Sequence, residues 1–244
     1  MPFNREYYIS KIREYSSKIS ADSIGDFQIY KIDGISSPVE HYLFKLEERI
    51  KEPIVELRHK DEMIMRIDPL EIEGCYESIE RARGRVGVAG LGLGYFVQEI
   101  LKKPEVKEVI VYENSKEVIE FYKRNFTKDM KLDIVHTDAF NAKGEEFDFF
   151  FVDIYNYSLG MEVVDDYVNF NEIHAIREYS FWGMERFLLS CRMEDLIHIC
   201  LPEEWLDMAR DIYDKFEETP YFSRFKPMNE RKVKKVLHAF NKVL

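Results

Sequence analysis

The sequence has few cysteines, and none lies in a pair with redox or metal-binding spacing. Among 244 residues there are three, Cys75, Cys191 and Cys200, an odd number that argues against a disulfide framework and favours a reducing, cytoplasmic location. The six histidines are scattered, without HExxH or comparable ligand spacing, so we expect no metal site. The first residues are too charged for a signal peptide, and no apolar run approaches membrane-spanning length.

Basic residues are also outnumbered. Thirty-five lysines and arginines against 46 acidic residues give a net charge of −11, which argues against a nucleic-acid partner. Hydrophobic residues make up 45% and aromatic residues 14% of the chain, enough to bury a substantial core. This length suits one full α/β domain with an elaboration, or one domain and a small second one.

The first 69 residues predict a small α+β extension. Apolar residues at helical spacing predict a helix over 4–20. Three strand-like segments follow, the first ended by the turn residues Asp33-Gly34 and the last two forming a hairpin; they are 27–32, 54–57 and 63–67. We therefore divide the chain into an extension, 1–69, and a main domain, 70–244.

In the main domain, helices and strands alternate. A helix over 70–83, ended by Gly84, precedes the first strand. The following elements are strands 86–89, 109–112, 132–136 and 147–152, with helices 95–103 and 115–125 between them. The fourth strand is continuously apolar, as expected for a strand covered on both faces. This alternation implies a Rossmann-like, doubly wound, mostly parallel α/β sheet whose ligand site lies beyond the carboxyl ends of its strands.

The remainder of the chain is predicted to be mainly helical. The elements are a helix over 171–190, a fifth strand at 196–201, a helix over 203–216 and a helix over 230–243. The first of these helices carries an aromatic set that can form core or a homodimer face: Phe181, Trp182, Met184, Phe187 and Leu188. The last carries a basic cluster, Arg231, Lys232, Lys234 and Lys235.

The four strand ends carry the candidate site. The first is followed by a run of three alternating glycines, whose lack of Cβ lets the backbone turn tightly and approach a ligand. Glu113 ends the second strand 19 residues after Gly94, about the offset at which an acidic side chain accepts bonds from ribose hydroxyls. Asp138 follows the third strand and Asp153 ends the fourth. The predicted cofactor-binding residues are Gly90, Leu91, Gly92, Gly94, Glu113, Asp138, Ala139, Phe140 and Asp153.

These motifs resemble the class I S-adenosylmethionine-dependent methyltransferases over residues 70 to about 201. The resemblance is carried by Val86–Gly94, Tyr112-Glu113, Thr137-Asp138-Ala139 and Phe147–Asp153. The glycine run after a helix introduced by Pro69-Leu70-Glu71, together with the amino-terminal extension, is similar to the spermidine synthase branch. The resemblance implies S-adenosylmethionine as the cofactor and methyl transfer to a small-molecule acceptor. It implies ribose contacts by Glu113 and adenine contacts by Asp138.

Two positions depart from the family pattern. Val88 stands two residues before the first glycine, where many members have an acid, so the cofactor's amino group needs another partner, such as a backbone carbonyl or Asp153. The fourth strand leads into Asp153-Ile154-Tyr155-Asn156 rather than the Asp/Asn-Pro-Pro-Tyr motif of base-methylating enzymes, so no such role is implied.

The catalytic assignment follows from the chemistry of a sulfonium methyl group, which is already electrophilic. The protein has mainly to hold a nucleophile in line with it, away from water. We assign Asp153 to position the acceptor or take its proton, and we place Tyr155 and Asn156 at the same mouth.

Three other interpretations stay open. A nicotinamide enzyme is disfavoured, because a GxGxxG pattern would need glycine where Tyr95 stands. Aminopropyl transfer would use the same strand end to face a cationic amine, with Asp165 and Asp166 extending an acidic pocket. The third is a non-catalytic cofactor-binding or interaction protein.

Overall fold

The amino-terminal part is a helix followed by a meander of strands. The computed structural model describes residues 4–35, 50–157, 159–183, 189–191 and 203–243. Helix α1 (Arg5–Lys18) begins where the side chain of Asn4 accepts the backbone N–H of Tyr7 at 2.9 Å. The antiparallel sheet after it has the order β1 (Asp22–Ile24), β2 (Phe27–Ile35), β3 (Ile50–His59) and β4 (Glu62–Arg66). The predicted helix and hairpin are confirmed, whereas β1 was not predicted.

Two irregularities shape this sheet. The predicted turn at Asp33-Gly34 is wrong: β2 continues through Gly34, whose φ of 70° accommodates a register shift between Asp33 and Ile35. In the hairpin, Leu57 pairs with Met65 and Arg58 with Met63, so Ile64 is an extra residue and β4 is bulged there.

Helix α2 (Pro69–Arg81) links the two parts of the chain. The carboxylate of Asp68 begins the helix by accepting the N–H groups of Leu70 and Glu71. The prediction that Gly84 ends this helix is wrong. The last helical residue is Arg81, Ala82 is the C-cap, and Gly84 is the first residue of the next strand. The φ of Gly84 is 66°, and a Cβ there would lie 2.1 Å from a carboxylate oxygen of Asp148. The glycine is therefore needed for close strand packing.

The main sheet is parallel and has the order β11-β9-β5-β6-β7. Its strands are β5 (Gly84–Ala89), β6 (Val106–Glu113), β7 (Leu132–His136), β9 (Phe149–Val152) and β11 (Tyr179–Phe181); β8 (Glu146–Phe147) pairs separately with β10 (Ala175–Ile176). The helices are α3 (Tyr95–Leu101), α4 (Lys116–Asn125), α5 (Glu162–Ile173), α6 (Glu203–Glu217) and α7 (Glu230–Val243). The predicted Rossmann-like α/β class is confirmed.

The predicted helix over 171–190 is wrong. Helix α5 ends at Ile173, and the chain then forms β10 and β11. The free edge of β9 requires backbone partners, which this segment supplies: the N–H of Phe150 donates to Glu178 O at 2.8 Å, and the N–H of Trp182 donates to Val152 O at 2.9 Å. The fifth strand is thus 179–181. The predicted strand at 196–201, and the predicted helical residues Met184, Phe187 and Leu188, lie outside the described residues.

Alternate side chains along the strands belong to two hydrophobic clusters, one on each face of the sheet. Phe149 and Phe151 pack with α1 to α4 and the amino-terminal sheet, whereas Phe150 and Val152 pack with α5, α6 and α7. All four side chains are at most 1% exposed, which confirms a strand covered on both faces. Because the first cluster also contains Tyr8 of α1, the extension and the main sheet share one core. Among the described residues, no helix has the length and apolar character needed to cross a bilayer.

Candidate functional site

A cavity of about 350 Å³ lies at the carboxyl edge of the parallel sheet. It is lined by every predicted site residue except Gly94: Gly90, Leu91, Gly92, Glu113, Asp138, Ala139, Phe140, Asp153, Tyr155 and Asn156. Gly94 instead precedes α3, and a Cβ there would lie 2.6 Å from the ring of Tyr122, so this glycine lets α3 and α4 approach. The arrangement follows from the sheet, because parallel strands end at one edge.

Glycine is required in the turn after β5 for two different contacts. At Gly90, with φ of 91°, a Cβ would lie 2.2 Å from the carbonyl oxygen of Asp153, so the exits of β5 and β9 could not come together. At Gly92, with φ of 51°, a Cβ would lie 2.4 Å from the Met65 sulfur. The turn is therefore packed against β9 on one side and the amino-terminal sheet on the other.

Glu113 is fixed at the end of β6 by backbone amides. One carboxylate oxygen accepts the N–H of Leu91 at 2.9 Å, and the other accepts the N–H of Ser115 at 2.8 Å. The side chain is only 8% exposed, and this burial raises its pKa even though the amide hydrogen bonds favour the charged form. The carboxylate thus joins the glycine turn to the start of α4, facing the cavity.

Asp138 and the turn that follows it form another part of the cavity wall. Its carboxylate accepts the N–H of Phe140 at 3.0 Å and begins a short 3₁₀ turn, Ala139–Asn141. Ala139 is buried, and the ring of Phe140 stacks on Phe170 at 4.7 Å while remaining 38% exposed. An acidic group thus stands beside an apolar wall.

Asp153 faces a second carboxylate that the sequence did not reveal. An oxygen of Asp153, an oxygen of Glu71 and the sulfur of Cys75 all lie within 4.8 Å of one another. Glu71 accepts the S–H of Cys75 at 3.0 Å and the indole N–H of Trp182 at 2.9 Å. Burial raises the pKa of Asp153 to about 7, and burial followed by the charge of Asp153 raises the pKa of Glu71. Burial also raises the pKa of Cys75, which keeps the thiol protonated as a donor.

Tyr155 and Asn156 lie at the mouth, as predicted. The hydroxyl of Tyr155 donates to Asp166 at 3.0 Å, and burial raises the pKa of the phenol, so it stays neutral. Asn156 is exposed beside the cavity. Asp165 forms an ion pair with Lys215 at 2.7 Å. Neither Asp165 nor Asp166 is among the cavity-lining residues.

Part of the cavity wall was missed by the sequence reasoning. Four side chains of the amino-terminal sheet line it (Phe27, Leu57, Ile64 and Met65), as do Glu71 of α2 and Tyr157 after β9. An acid on the buried stripe of α2 was the available signal for Glu71. The sheet residues gave none, because local periodicity does not tell what the hairpin covers.

The carboxyl groups of the lining are not balanced by basic side chains. Among the lining residues that the structure describes are four acids, Glu71, Glu113, Asp138 and Asp153, and no lysine, arginine or histidine. Val88, two residues before the first glycine of the turn, is 1% exposed within the core. The acidic character therefore comes from α2 and from the ends of β6, β7 and β9.

No protein-family model matches the chain, and no curated protein matches it. Similar solved structures include spermidine synthase from Thermotoga maritima, 16% identical over 81% of this chain and 63% of that one, with a TM-score of 0.43. The S-adenosylhomocysteine-bound methyltransferase PaMTH1 from Podospora anserina is 15% identical over 61% of this chain and 68% of its own, with a TM-score of 0.38. A Pyrococcus horikoshii protein crystallised as a candidate RNA methyltransferase is 21% identical over 34% of this chain, with a TM-score of 0.30.

This chain spans 63% of the spermidine synthase and 42% of the Pyrococcus protein. Its parallel strand order, with the cavity at the carboxyl edge of the sheet, is Rossmann-like. Because these identities are at most 21% and the TM-scores at most 0.43, we base the function on the residues of the cavity.

Proposed function

We propose that this chain is an S-adenosylmethionine-dependent methyltransferase acting on a small-molecule acceptor. The supporting observation is the convergence of the glycine turn, Glu113, Asp138 and Asp153 on one cavity of about 350 Å³. That volume lies in the usual range for small-molecule sites, roughly 300–1,000 Å³. The same cavity would have to hold the acceptor. Because the amino-terminal sheet closes one side of the cavity, only a small acceptor would fit.

The residues present suit an adenosyl group. The two oxygens of Glu113 accept the amide N–H groups of Leu91 and Ser115, and a carboxylate offers about four acceptor sites, so a ribose hydroxyl can be accepted as well. Asp138 can accept from the adenine amino group, while Ala139 and Phe140 supply an apolar surface for the ring. The cofactor's ammonium group would lie toward Asp153 and Glu71, since Val88 offers no acceptor.

Bound S-adenosylmethionine would supply an electrophilic methyl group, and the protein would supply position and proton transfer. Because burial raises the pKa of Asp153 to about 7, its carboxylate can accept a proton from an acceptor nucleophile near neutral pH. Tyr155, neutral and engaged with Asp166, would orient the acceptor rather than act as a base.

One observation favours a second candidate, aminopropyl transfer from decarboxylated S-adenosylmethionine. The described lining has four acids and no cationic side chain, so it complements an amine and offers no charged partner to a ligand carboxylate. Turnover of putrescine with the decarboxylated cofactor, and no methyl transfer, would select this candidate.

Calorimetry with a panel of nucleotides tests the proposal. We expect S-adenosylhomocysteine and S-adenosylmethionine to bind, 5′-methylthioadenosine to bind more weakly, and NAD not to bind. Glu113→Gln should weaken S-adenosylhomocysteine binding about tenfold or more, because hydrogen bonds to a charged acceptor contribute roughly 1.5–3 kcal/mol.

The matched control is Glu120→Gln, which removes an exposed carboxylate of α4 outside the cavity and should leave binding unchanged. Binding of NAD without any of the sulfur-containing nucleosides would contradict the proposal. So would wild-type affinity in Glu113→Gln.

A further inference from the structure

The bulge in β4 turns two neighbouring side chains toward the cavity. Successive residues of a regular strand point to opposite faces of the sheet. Because Ile64 is the extra residue between the pairs Leu57–Met65 and Arg58–Met63, both Ile64 and Met65 line the cavity. Bulges that re-aim side chains in this way are common beside active sites.

Met65 is in direct contact with the glycine turn. Its sulfur accepts the backbone N–H of Leu93 at 3.0 Å, and it occupies the space that a Cβ on Gly92 would need. The side chain is 7% exposed. A ligand resting on the turn would therefore have to pack against this thioether.

Tyr157, which also lines the cavity, is hydrogen-bonded to the same strand. Its hydroxyl accepts the N–H of Arg66 at 2.7 Å and donates to the carbonyl oxygen of Arg66 at 3.0 Å. Its ring meets Trp182 edge-on, with centroids 5.1 Å apart. One hydroxyl thus contacts both backbone groups of the residue that follows Met65, and it shares the carbonyl oxygen with the N–H of Asp68, which donates to it at 3.0 Å.

The backbone of Tyr157 is in the left-handed region, with φ of 54°. A bulky residue rarely adopts this conformation, and it persists where the surroundings impose it, most often at functional sites. Here the conformation delivers the ring from the loop after β9, the loop that also carries Asp153, Tyr155 and Asn156.

We propose that Tyr157 is a positioning residue of the cofactor cavity. Its hydroxyl fixes β4 so that Met65 stays against the glycine turn and Ile64 stays in the cavity wall. It thereby joins the amino-terminal sheet to the loop of the predicted catalytic residues. We call the contact between Tyr157 and Arg66 the clamp. The identity of the ligand rests on the proposed function, whereas the clamp rests on the contacts alone.

Tyr157→Phe tests the inference, since it keeps the ring and removes the two hydrogen bonds. We expect S-adenosylhomocysteine to bind at least about fivefold more weakly, as the loss of one to two net hydrogen bonds permits. We also expect faster hydrogen exchange at the Arg66 amide. Tyr30→Phe is the matched control: Tyr30 lies exposed on β2, its hydroxyl contacts Gln28, and it does not line the cavity, so neither readout should change.

Met65→Leu gives a second measurement that keeps the side-chain volume and removes the sulfur acceptor. It should weaken S-adenosylhomocysteine binding while the Arg66 amide stays protected. If Tyr157→Phe does not fold, this variant decides the matter, and wild-type affinity in it would overturn the inference.

The remaining outcomes separate the inference from the proposed function. Faster exchange at Arg66 with unchanged affinity would mean that the hydroxyl only stabilises the fold, and the positioning role would be wrong. If the wild-type protein binds none of the nucleotides, the proposed function fails. Unchanged exchange in Tyr157→Phe would then overturn the clamp as well, and faster exchange would leave the clamp standing.

Discussion

Replacing Asp153 with asparagine should make the protein more stable than wild type above pH 7. Burial raises the pKa of this carboxyl from 3.8 to about 7, so the folded chain keeps a proton that the unfolded chain releases at much lower pH. Between these values the folded state binds more protons, and the free energy of unfolding therefore falls as pH rises, with the loss complete once pH exceeds about 7.

The size of the effect follows from the same two pKa values. At about 1.36 kcal/mol per pH unit, the interval between the two pKa values gives an upper limit of about 4 kcal/mol for the loss in free energy of unfolding. Asp153 is half-buried, so we expect solvent to reduce this to roughly 2 kcal/mol. Asparagine has nearly the shape of the protonated acid and does not ionise, so Asp153→Asn should escape the loss.

Urea unfolding of both proteins at pH 5 and pH 8 measures this difference. The stability advantage of Asp153→Asn should grow by about 1–2 kcal/mol between the two pH values. Asp214→Asn, an exposed position on α6, is the control and should show no such growth. An advantage that is constant with pH, or one that shrinks as pH rises, would refute the reasoning.

Three further substitutions test the packing around the site. Gly92→Ala should reduce S-adenosylhomocysteine binding and lower stability by about 1–3 kcal/mol, because its Cβ would lie 2.4 Å from the Met65 sulfur; calorimetry and urea unfolding measure the two effects. Gly74→Ala should cost a similar free energy of unfolding, roughly 1–3 kcal/mol, since its Cβ would lie 2.6 Å from the Trp182 ring, and a wild-type melting curve would contradict this. Trp182→Phe should destabilise the protein by about 1–3 kcal/mol through the donor lost to buried Glu71, and a neutral result in urea unfolding would show that water replaces the indole.

Most of the parallel sheet was predictable because four of its five strands have a local sequence signal. The first four strands are short apolar runs bounded by turn residues, and β7 was predicted with its observed bounds, Leu132–His136. The fifth strand was not, because the apolar residues Ile176, Tyr179 and Phe181 suit a buried helix and a buried strand equally well. Pairing with the free edge of β9 decides between them, and that requirement is tertiary.

The same limit applies to the cavity. Residues at strand ends could be brought together from the sequence, since parallel strands share an edge. Glu71 could be noticed as an acid on a buried helix stripe, but its place at the cavity could not be predicted, because Trp182, 111 residues away along the chain, fixes it. Met65 and Tyr157 depend on how the amino-terminal sheet lies over the glycine turn, a matter of packing between distant segments.

The hydrogen bond from Trp182 to Glu71 gives the protein an optical signal of its own. The chain has only two tryptophans, and the indole of Trp182 is hydrogen-bonded to Glu71, which has a carboxylate oxygen within 4.8 Å of one of Asp153. Its emission should therefore shift when a ligand or a proton changes the charge at that wall of the cavity. Occupancy could then be followed by intrinsic fluorescence, without a label and before any acceptor is known.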